Sequence, residues 1–132
     1  MGAYEALSKW HDSRKESSVV ISTIRTFPSR DERRQVLGIL RSVQGPTQAQ
    51  PHCQSCGIYE EDDFENSILF MERWDSEVEF ERHIRSDSFW RILAAVELSR
   101  KRPEISFDFV SETKGIALIE DLRREAPTDN LL

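Results

Sequence analysis

The hydrophobic residues of this chain fall into segments whose spacing changes along the sequence. Residues 19–27 are β-branched almost throughout and predict a first strand, which ends before a proline. Ser29 and Glu32 then have the spacing of a capping box at a helix start. Hydrophobic residues follow at helical spacing, and they are Val36, Leu37, Leu40 and Val43. Gly45 and Pro46 predict the end of that helix.

Two further strands are predicted in the middle of the chain, at about residues 54–60 and at residues 68–74. Only a short polar loop joins them, so we expect an antiparallel hairpin. The loop contains the acidic run from Glu60 to Asp63, closed by Glu65. Like charges extend and hydrate a turn, so a solvated loop is the favoured interpretation and a metal-gathering cluster is the alternative.

The second half of the chain predicts helices, then a strand. Ser76 and Glu79 form a second capping box, before a helix with Phe80, His83 and Ile84 on one side. A break at residues 86–88 starts another helix, whose inner face carries Phe89, Ile92, Leu93 and Val96. Residues 105–110 alternate apolar and polar side chains and predict a fourth strand. Gly115 precedes a short amphipathic helix that carries Ile116, Ile119 and Leu122.

The predicted order of the principal elements is β-α-β-β-α-β. It defines an α+β fold of the ferredoxin-like kind, an antiparallel sheet with helices on one face. The domain is expected at residues 18–124, between an N-terminal extension (1–17) and a tail (125–132). The third strand is apolar on both faces and needs cover on both, so we predict a homodimer, a dimeric α/β-barrel. A monomer covered by the N-terminal arm and the C-terminal helix is the alternative.

Composition and charge narrow the class of protein. The 132 residues suffice for one domain, and 38% hydrophobic with 32% charged residues is typical of a folded protein. A net charge of −6 argues against nucleic acid as a partner. No apolar run approaches the roughly 20 residues of a membrane span, and the first residues lack the pattern of a secretory signal. The sequence therefore predicts a cytoplasmic protein without a membrane or nucleic-acid partner.

Cys53 and Cys56 form a C-x-x-C pair directly after His52. A structural zinc site takes four ligands, and no second such pair lies at a suitable distance. A redox pair would open a helix, where the dipole activates the thiol, whereas these residues enter a predicted strand. We therefore expect no metal and interpret Cys56 as a small buried side chain, with a metal or redox role as the alternative.

From the third strand onward the chain resembles a known family. Glu72-Arg73-Trp74-Asp75-Ser76, followed by Phe80, His83, Ser86-Asp87 and Phe89, is similar to the E-x-W…H…S-x-x-F pattern of antibiotic-biosynthesis, or quinol-type, monooxygenases. Pro51-His52-Cys53 and the strand after it resemble the P-G-C-x-x-Y passage of that family. The resemblance covers about residues 18–112.

The resemblance implies an oxygenase without a cofactor that oxidises a quinol or polycyclic phenol with O2. Ground-state oxygen reacts poorly with closed-shell molecules, but an electron-rich phenolate can give it an electron directly. The protein must then remove the hydroxyl proton, hold the ring in an apolar cavity and exclude water. That requires a base, aromatic walls and a donor to developing negative charge.

Three side chains are the candidate catalytic residues. His83 is the predicted base, because histidine exchanges protons near neutral pH; a core histidine bonded to a carboxylate or a carbonyl is the alternative. Glu72 shares a strand face with Trp74, and an inward carboxylate needs a partner, for which His83, an arginine or backbone N–H groups are candidates. Trp74 is expected to line the cavity or donate its indole N–H, or else to be a large core residue.

Four further residues are expected to contact the small aromatic substrate, and they are Phe70, Phe80, Phe89 and Thr23. Phe89 fits the apolar stripe of its helix, so the adjacent Trp90 is predicted to face a partner subunit or a pocket mouth. Arg25 is expected at solvent or at an interface.

Two departures from the family's pattern keep other functions open. Antibiotic-oxidising members carry an asparagine where this chain has Phe70, and haem-degrading members carry a later histidine where it has Leu93. We therefore expect no haem ligated in their manner. A non-catalytic or sensory module that binds a small aromatic ligand in the same cavity is the alternative function. A purely structural dimer with a filled core is a third.

Overall fold

The computed structural model describes residues 19–62 and 65–125; the predicted N-terminal extension and the tail beyond residue 125 lie outside these ranges. The strands are β1 (Val19–Thr26), β2 (Cys53–Glu60), β3 (Ile68–Trp74) and β4 (Glu104–Val110). The helices are α1 (Arg33–Gln48), α2 (Glu77–Ile84), α3 (Asp87–Glu97) and α4 (Ile116–Arg124). These bounds agree with the predicted segments to within a few residues, except at the end of α1.

The four strands form one antiparallel sheet in the order β2-β3-β1-β4. This order follows from two β-α-β crossovers that insert β1 and β3 at the centre of the sheet. It is the ferredoxin-like arrangement, so the predicted α+β fold class is confirmed. The sheet is open within the single chain, with β2 and β4 as its edges.

The two central strands set which side chains face the helices. Buried and half-buried positions alternate strictly along β1 and β3, since successive side chains of a strand point to opposite faces. The inner face of β3 carries Ile68, Phe70, Glu72 and Trp74. Ser22 of β1 lies directly opposite Glu72, and Val20 lies opposite Trp74. The inner face of these two strands thus contains three polar residues, Ser22, Thr26 and Glu72, among large apolar ones.

The main core lies between this face and the helices α1 and α3. Its fully buried members include Ile24, Leu40, Ile68, Phe70 and Ile92. Burying each such side chain stabilises the fold by about 1.5–3 kcal/mol. A second, smaller cluster of Val20, Trp74 and Phe80 lies under α2. The helices α1 to α3 therefore cover one face of the sheet, as predicted.

The predicted end of α1 at Gly45 and Pro46 is wrong, because the helix continues through both residues to Gln48. Proline lacks an N–H and so forgoes one hydrogen bond to the preceding turn. The next turn still forms, with the Ala49 N–H donating to the Gly45 carbonyl at 3.1 Å, and the Thr47 side chain is fully buried. Packing of the last turn outweighs the single lost bond.

The capping prediction holds for α2, and it holds only in part for α1, whose N-cap is Glu32 and not Ser29. The Ser76 hydroxyl accepts from the Glu79 N–H at 3.2 Å at the start of α2. Before α1, the Ser29 hydroxyl accepts from the Glu32 N–H at 3.2 Å and donates to the Glu32 carboxylate. The α1 helix itself begins one residue later, at Arg33.

The edge strand β4 and the helix α4 stay largely uncovered. The register of β4 aligns Ile105, Phe107 and Phe109 with the buried residues of β1, so these side chains belong to the inner face. All three are nevertheless exposed, because the helices cover β4 only in part: Phe80 of α2 contacts the rings of Phe107 and Phe109. Every residue of α4 is exposed, including the apolar side predicted from its sequence.

No helix in the described ranges is long and apolar enough to cross a membrane.

Candidate functional site

A buried cluster of polar side chains lies under α2, and it begins on β3. Glu72 and Trp74 are two residues apart, so both point inward from the same strand. The Trp74 indole N–H donates to Glu72 Oε1 at 2.7 Å. Both side chains are fully buried, which makes this a strong, charge-assisted bond in a medium of low polarity.

His83 of α2 completes the cluster from above the sheet. Its Nε2 lies 3.0 Å from Glu72 Oε1 and 3.1 Å from Oε2. The imidazole packs on Trp74 with ring centroids 5.0 Å apart, and its other side meets the edge of Phe89 at 5.5 Å. The sequence predicted that the inward Glu72 needs a partner, and that partner is His83.

The other ring nitrogen of His83, Nδ1, is buried and makes no hydrogen bond to any residue within the described ranges. A carboxylate only accepts hydrogen bonds, so an ionised Glu72 requires that Nε2 carry a hydrogen. In a neutral imidazole of that tautomer, Nδ1 then holds a lone pair. A buried nitrogen in that state can accept a hydrogen bond from a ligand.

A second unsatisfied group lies beside the cluster and was not among the predicted site residues. Ser22 is fully buried, and its hydroxyl makes no hydrogen bond within the described residues. The strand register puts Ser22 between Glu72 of β3 and Phe107 of β4. The sequence did contain the signal, because Ser22 occupies an inward position between Val20 and Ile24. A serine in such a series requires a polar neighbour or a ligand.

An apolar cleft of about 490 Å³ opens next to the cluster, between β4 and the helices α2 and α3. It exists because the helices in the described ranges cover the inner face of β4 only in part. Its hydrophobic lining consists of Ile24, Phe80, Ile84, Phe89, Leu93, Ile105 and Phe107. The volume lies within the range of small-molecule sites. Phe80 and Phe89 are shared, since each lines the cleft and each also contacts a ring of the buried cluster.

The structure separates the predicted site residues into three groups. Glu72, Trp74 and His83 meet in the buried cluster, and Phe80 and Phe89 line the cleft. Phe70 is buried in the main core and does not line the cleft. Thr23 lies on the outer face of the sheet, because the inward positions of β1 are its neighbours Ser22 and Ile24. Neither Phe70 nor Thr23 touches the cleft.

Trp90 lies at the surface and Arg25 lies on the outer face of the sheet, and a contact of Trp90 with a partner subunit stays a prediction. Phe89 is buried while Trp90 is exposed, as predicted from their adjacent helix positions. Arg25 lies on the outer face, where it pairs with Glu61 at 2.8 Å and with Glu104 at 2.8 Å. The acidic loop is thus partly ion-paired, since Glu60 also pairs with Arg33 at 3.0 Å. Asp63 of the acidic run lies outside the described residues.

The cysteines are poorly suited to redox chemistry. Cys56 is a buried core residue, as predicted, and Cys53 is half-buried. Burial, reinforced by the negative charge of Glu72, raises the pKa of the Cys53 thiol to about 11. The same causes raise the pKa of Cys56 well above its ordinary value. Thiolates are the reactive species, so both side chains are held in their unreactive form. No group of three or more metal-binding side chains occurs in the described part of the chain.

His52 occupies the place of the glycine in the P-G-C-x-x-Y passage that the sequence resembles. It adopts a left-handed conformation with φ of 75°, which glycine adopts without steric cost. Its carbonyl accepts from the Asp75 N–H at 2.9 Å, and its Nδ1 lies 2.9 Å from the Asp75 carboxylate. These contacts join the start of β2 to the end of β3, directly beside Trp74.

Fold and site together define a ferredoxin-like α+β protein with an apolar cleft beside a buried acid–histidine pair. The chain belongs to the antibiotic biosynthesis monooxygenase family, whose model matches residues 19–95. This finding confirms the resemblance seen in the sequence.

Several solved structures share the fold. A conserved protein from Methanosarcina mazei Go1 is 21% identical, with a TM-score of 0.63 over 71% of this chain and 94% of that one. A Mycobacterium tuberculosis protein is 24% identical, with a TM-score of 0.62 over 74% and 98% of the two chains. A proposed antibiotic biosynthesis monooxygenase from Deinococcus radiodurans is 17% identical, with a TM-score of 0.65 over 74% and 97%. At these identities the likeness concerns the fold alone.

One curated relative is an uncharacterized protein of Synechocystis sp., which is 26% identical over 99 residues, or 74% of this chain. The matched region spans 66% of that relative, just under two thirds of its length.

Proposed function

We propose that this protein is a monooxygenase that needs no cofactor and oxidises a quinol or polycyclic phenol with O2. One observation carries the proposal. A buried Glu72–His83–Trp74 cluster, with an imidazole nitrogen that no described residue satisfies, lies directly behind the aromatic wall of an apolar cleft. Family membership supports the reaction class, because the family is that of antibiotic biosynthesis monooxygenases.

The proposed chemistry balances without an external reductant. For a fused-ring phenol whose keto form carries a methylene group, one molecule of O2 converts that methylene into a carbonyl and releases one molecule of water. Removal of the hydroxyl proton gives a phenolate, which passes one electron to O2. The two radicals combine into a C–O–O⁻ group, and its distal oxygen takes up a proton. Loss of water, with the remaining C–H proton, leaves the new carbonyl.

In this mechanism His83 Nδ1 accepts the hydroxyl proton and later returns it to the peroxide. Glu72 positions the imidazole through Nε2 and fixes the tautomer that leaves Nδ1 free to accept a proton. Accepting a proton also brings the Glu72–His83 pair from one negative charge to neutrality, which a buried site favours. Trp74 keeps the carboxylate in place by donating to Oε1.

The reaction requires a movement of the aromatic wall. His83 is fully buried and does not line the cleft, whereas Phe89 touches both the imidazole and the cleft. Rotation of the Phe89 side chain would connect the two spaces. Aromatic walls also keep water from the phenolate, which protects the intermediate from side reactions.

The experiment is oxygen uptake with anthrone as substrate, after subtraction of the enzyme-free rate. His83→Gln keeps an N–H donor for Glu72 but offers no base, so we expect kcat to fall on the order of 10²- to 10⁴-fold. Glu72→Gln retains the shape of the site but presents an N–H to Nε2, which moves the imidazole hydrogen to Nδ1. We expect a loss in the same range.

Arg82→Gln is the matched control, because Arg82 lies on α2 beside His83 but is exposed and pairs only weakly with Glu79 at 3.5 Å. It should keep the wild-type rate. Full turnover by folded His83→Gln protein would exclude His83 as the base.

A second candidate function is a non-catalytic module that binds a small aromatic ligand. The sealed position of His83 favours it, since the cleft alone suffices for binding. This function predicts thermal stabilisation by an aromatic ligand without any oxygen uptake.

We further propose that the protein is a homodimer. The outer face of the sheet carries Ile21, Leu69 and Met71, which are half-buried, and no helix in the described ranges covers them. Strands that are apolar on both faces need cover on both, and a second copy supplies it. The helix α4 supports the same conclusion, because a nine-residue helix with an exposed apolar side is too short to be stable alone in water.

A further inference from the structure

Among the described residues, the cleft has only two charged side chains in its lining. Seven hydrophobic residues form its walls, and Glu81 of α2 and Arg85, the residue that caps the end of α2, lie at its edge. In small-molecule sites a few polar groups among apolar walls fix the orientation of the ligand. Within this lining, orientation of a ligand must therefore be decided by these two residues.

Glu81 and Arg85 form a weak ion pair. They are four residues apart, at the end of α2, and Arg85 Nη2 lies 3.4 Å from Glu81 Oε1. The Glu81 side chain is 37% exposed and that of Arg85 is 72% exposed, and such surface pairs contribute little to stability. Arg85 can therefore exchange its carboxylate partner for another anion at little cost. Its long, flexible side chain reaches across the edge of the cleft while its charge stays at the water boundary.

The geometry points to a cleft that selects planar aromatic molecules bearing an acidic group, with that group bound by Arg85. The rings lie between Phe107 of β4 and Phe89 of α3, and the carboxylate stays at the mouth. This inference rests on the proposed function, since it names the substrate class of the same cleft. It also orients the substrate, because an anion held at the mouth directs the opposite end of the ring system toward the wall in front of His83.

The test compares two ligands of nearly equal shape, 2-naphthoate and 2-naphthalenemethanol, by isothermal titration calorimetry at low salt. The wild-type protein should bind the anion more tightly, by roughly two- to five-fold, as expected for one partly exposed ion pair. Arg85→Gln should reduce this ratio to one while leaving the affinity for the alcohol unchanged. Glu81→Gln should raise the ratio, because it removes the carboxylate that competes for Arg85.

Arg82→Gln is again the matched control. Arg82 lies on the same helix and is equally exposed, at 73%, but it does not line the cleft. This variant should preserve the wild-type ratio, which would show that Arg85 acts by contact and not through net charge. A preference that persists in Arg85→Gln, or that is lost equally in Arg82→Gln, would overturn the inference.

The outcomes also separate this inference from the proposed function. Equal binding of both ligands by the wild-type protein overturns the acidic-group selectivity but leaves the cleft as a ligand site. Binding of neither ligand overturns the inference, whereas the proposed function is decided separately by oxygen uptake with anthrone. All variants are checked for an unchanged melting temperature, which the high exposure of these side chains leads us to expect.

Discussion

At the scale of single residues, the buried cluster combines a carboxylate with side chains that can donate hydrogen bonds to it. Each of these polar groups would be costly to bury alone, but together they satisfy one another. An unpaired carboxylate in the core would cost several kcal/mol, but Glu72 receives the Trp74 N–H and faces His83. The cost that remains lies with His83 Nδ1 and Ser22 Oγ, which have no partner within the described residues. Each such unmade bond destabilises the fold by about 1–3 kcal/mol. Such groups call for an explanation, and a partner that binds during function is one that fits His83 and Ser22.

His52 provides a residue-scale prediction about backbone strain. Its φ of 75° is costly for any side chain with a Cβ, so we expect His52→Gly to be more stable than His52→Ala by about 1 kcal/mol. This reverses the usual preference for alanine over glycine, and both variants lose the same contact with Asp75. Urea denaturation of the two variants measures the difference. Equal stability, or a more stable alanine variant, would contradict the strained backbone.

The sequence predicted well which side chains of the cluster meet, because the two-residue period of a strand and the 3.6-residue period of a helix are local properties of the chain. The two-residue spacing of Glu72 and Trp74 puts them on one strand face, and the helical spacing of Phe80, His83 and Ile84 puts His83 above the sheet. The same rule puts Thr23 on the outer face, since Val20 and Ile24 face inward, so its hydroxyl cannot reach a substrate on the inner face. Ser22 was the inward polar residue.

At the scale of elements, an ion-pair group on the outer face joins three parts of the sheet. Arg25 of β1 binds both carboxylate oxygens of Glu61, just after β2, and one oxygen of Glu104 on β4. The Arg25 guanidinium, aided by the Ser67 hydroxyl, holds the pKa of the Glu61 carboxyl below its usual range. The pKa of Glu61 is therefore lower in the folded state than in the unfolded state. The stabilisation from its pairing with Arg25 is present at a pH above the unfolded-state pKa and is lost as the pH falls through the folded-state pKa.

We therefore expect Glu61→Gln to lower the free energy of unfolding at pH 7 by about 1 kcal/mol. The difference from the wild-type protein should shrink as the pH falls below about 4, the unfolded value of a glutamate. Urea denaturation at pH 7, 5 and 3 measures it. Glu104→Gln is the control, because that side chain is more exposed and receives a single bond, so its effect should be smaller. A difference that stays constant across this pH range would refute the account.

The boundaries of the elements show where local patterns fail. Gly45 and Pro46 are strong stop signals, yet α1 continues past them because Thr47 packs into the core. A cavity lined by Phe80 and Phe89 was expected, but its position against β4 could not be predicted, for a related reason. It depends on how far α2 and α3 extend across the sheet, which is a matter of packing between elements distant in sequence.

At the scale of the whole molecule, the uncovered surfaces lie on the outer face of the sheet and along α4. The proposed homodimer predicts that a charge at the centre of the outer face will separate the subunits. Met71→Glu should convert the dimer to a monomer in analytical ultracentrifugation, because an unpaired carboxylate cannot be buried in an apolar interface without a large cost. Met71 is half-buried in the single chain, so the monomer should still fold.

Gln35→Glu, which adds the same charge to an exposed position of α1, is the control and should remain dimeric. A wild-type protein that sediments as a monomer would refute the dimer, and a Met71→Glu dimer would refute the outer face as its interface.

The central claim is that the protein inserts one atom of O2 into a phenolic substrate. Turnover of anthrone under ¹⁸O2, followed by immediate extraction and mass spectrometry, tests it most directly. The account predicts one ¹⁸O atom in the product and the other in water. An unlabelled product, or hydrogen peroxide released in place of labelled product, would contradict it.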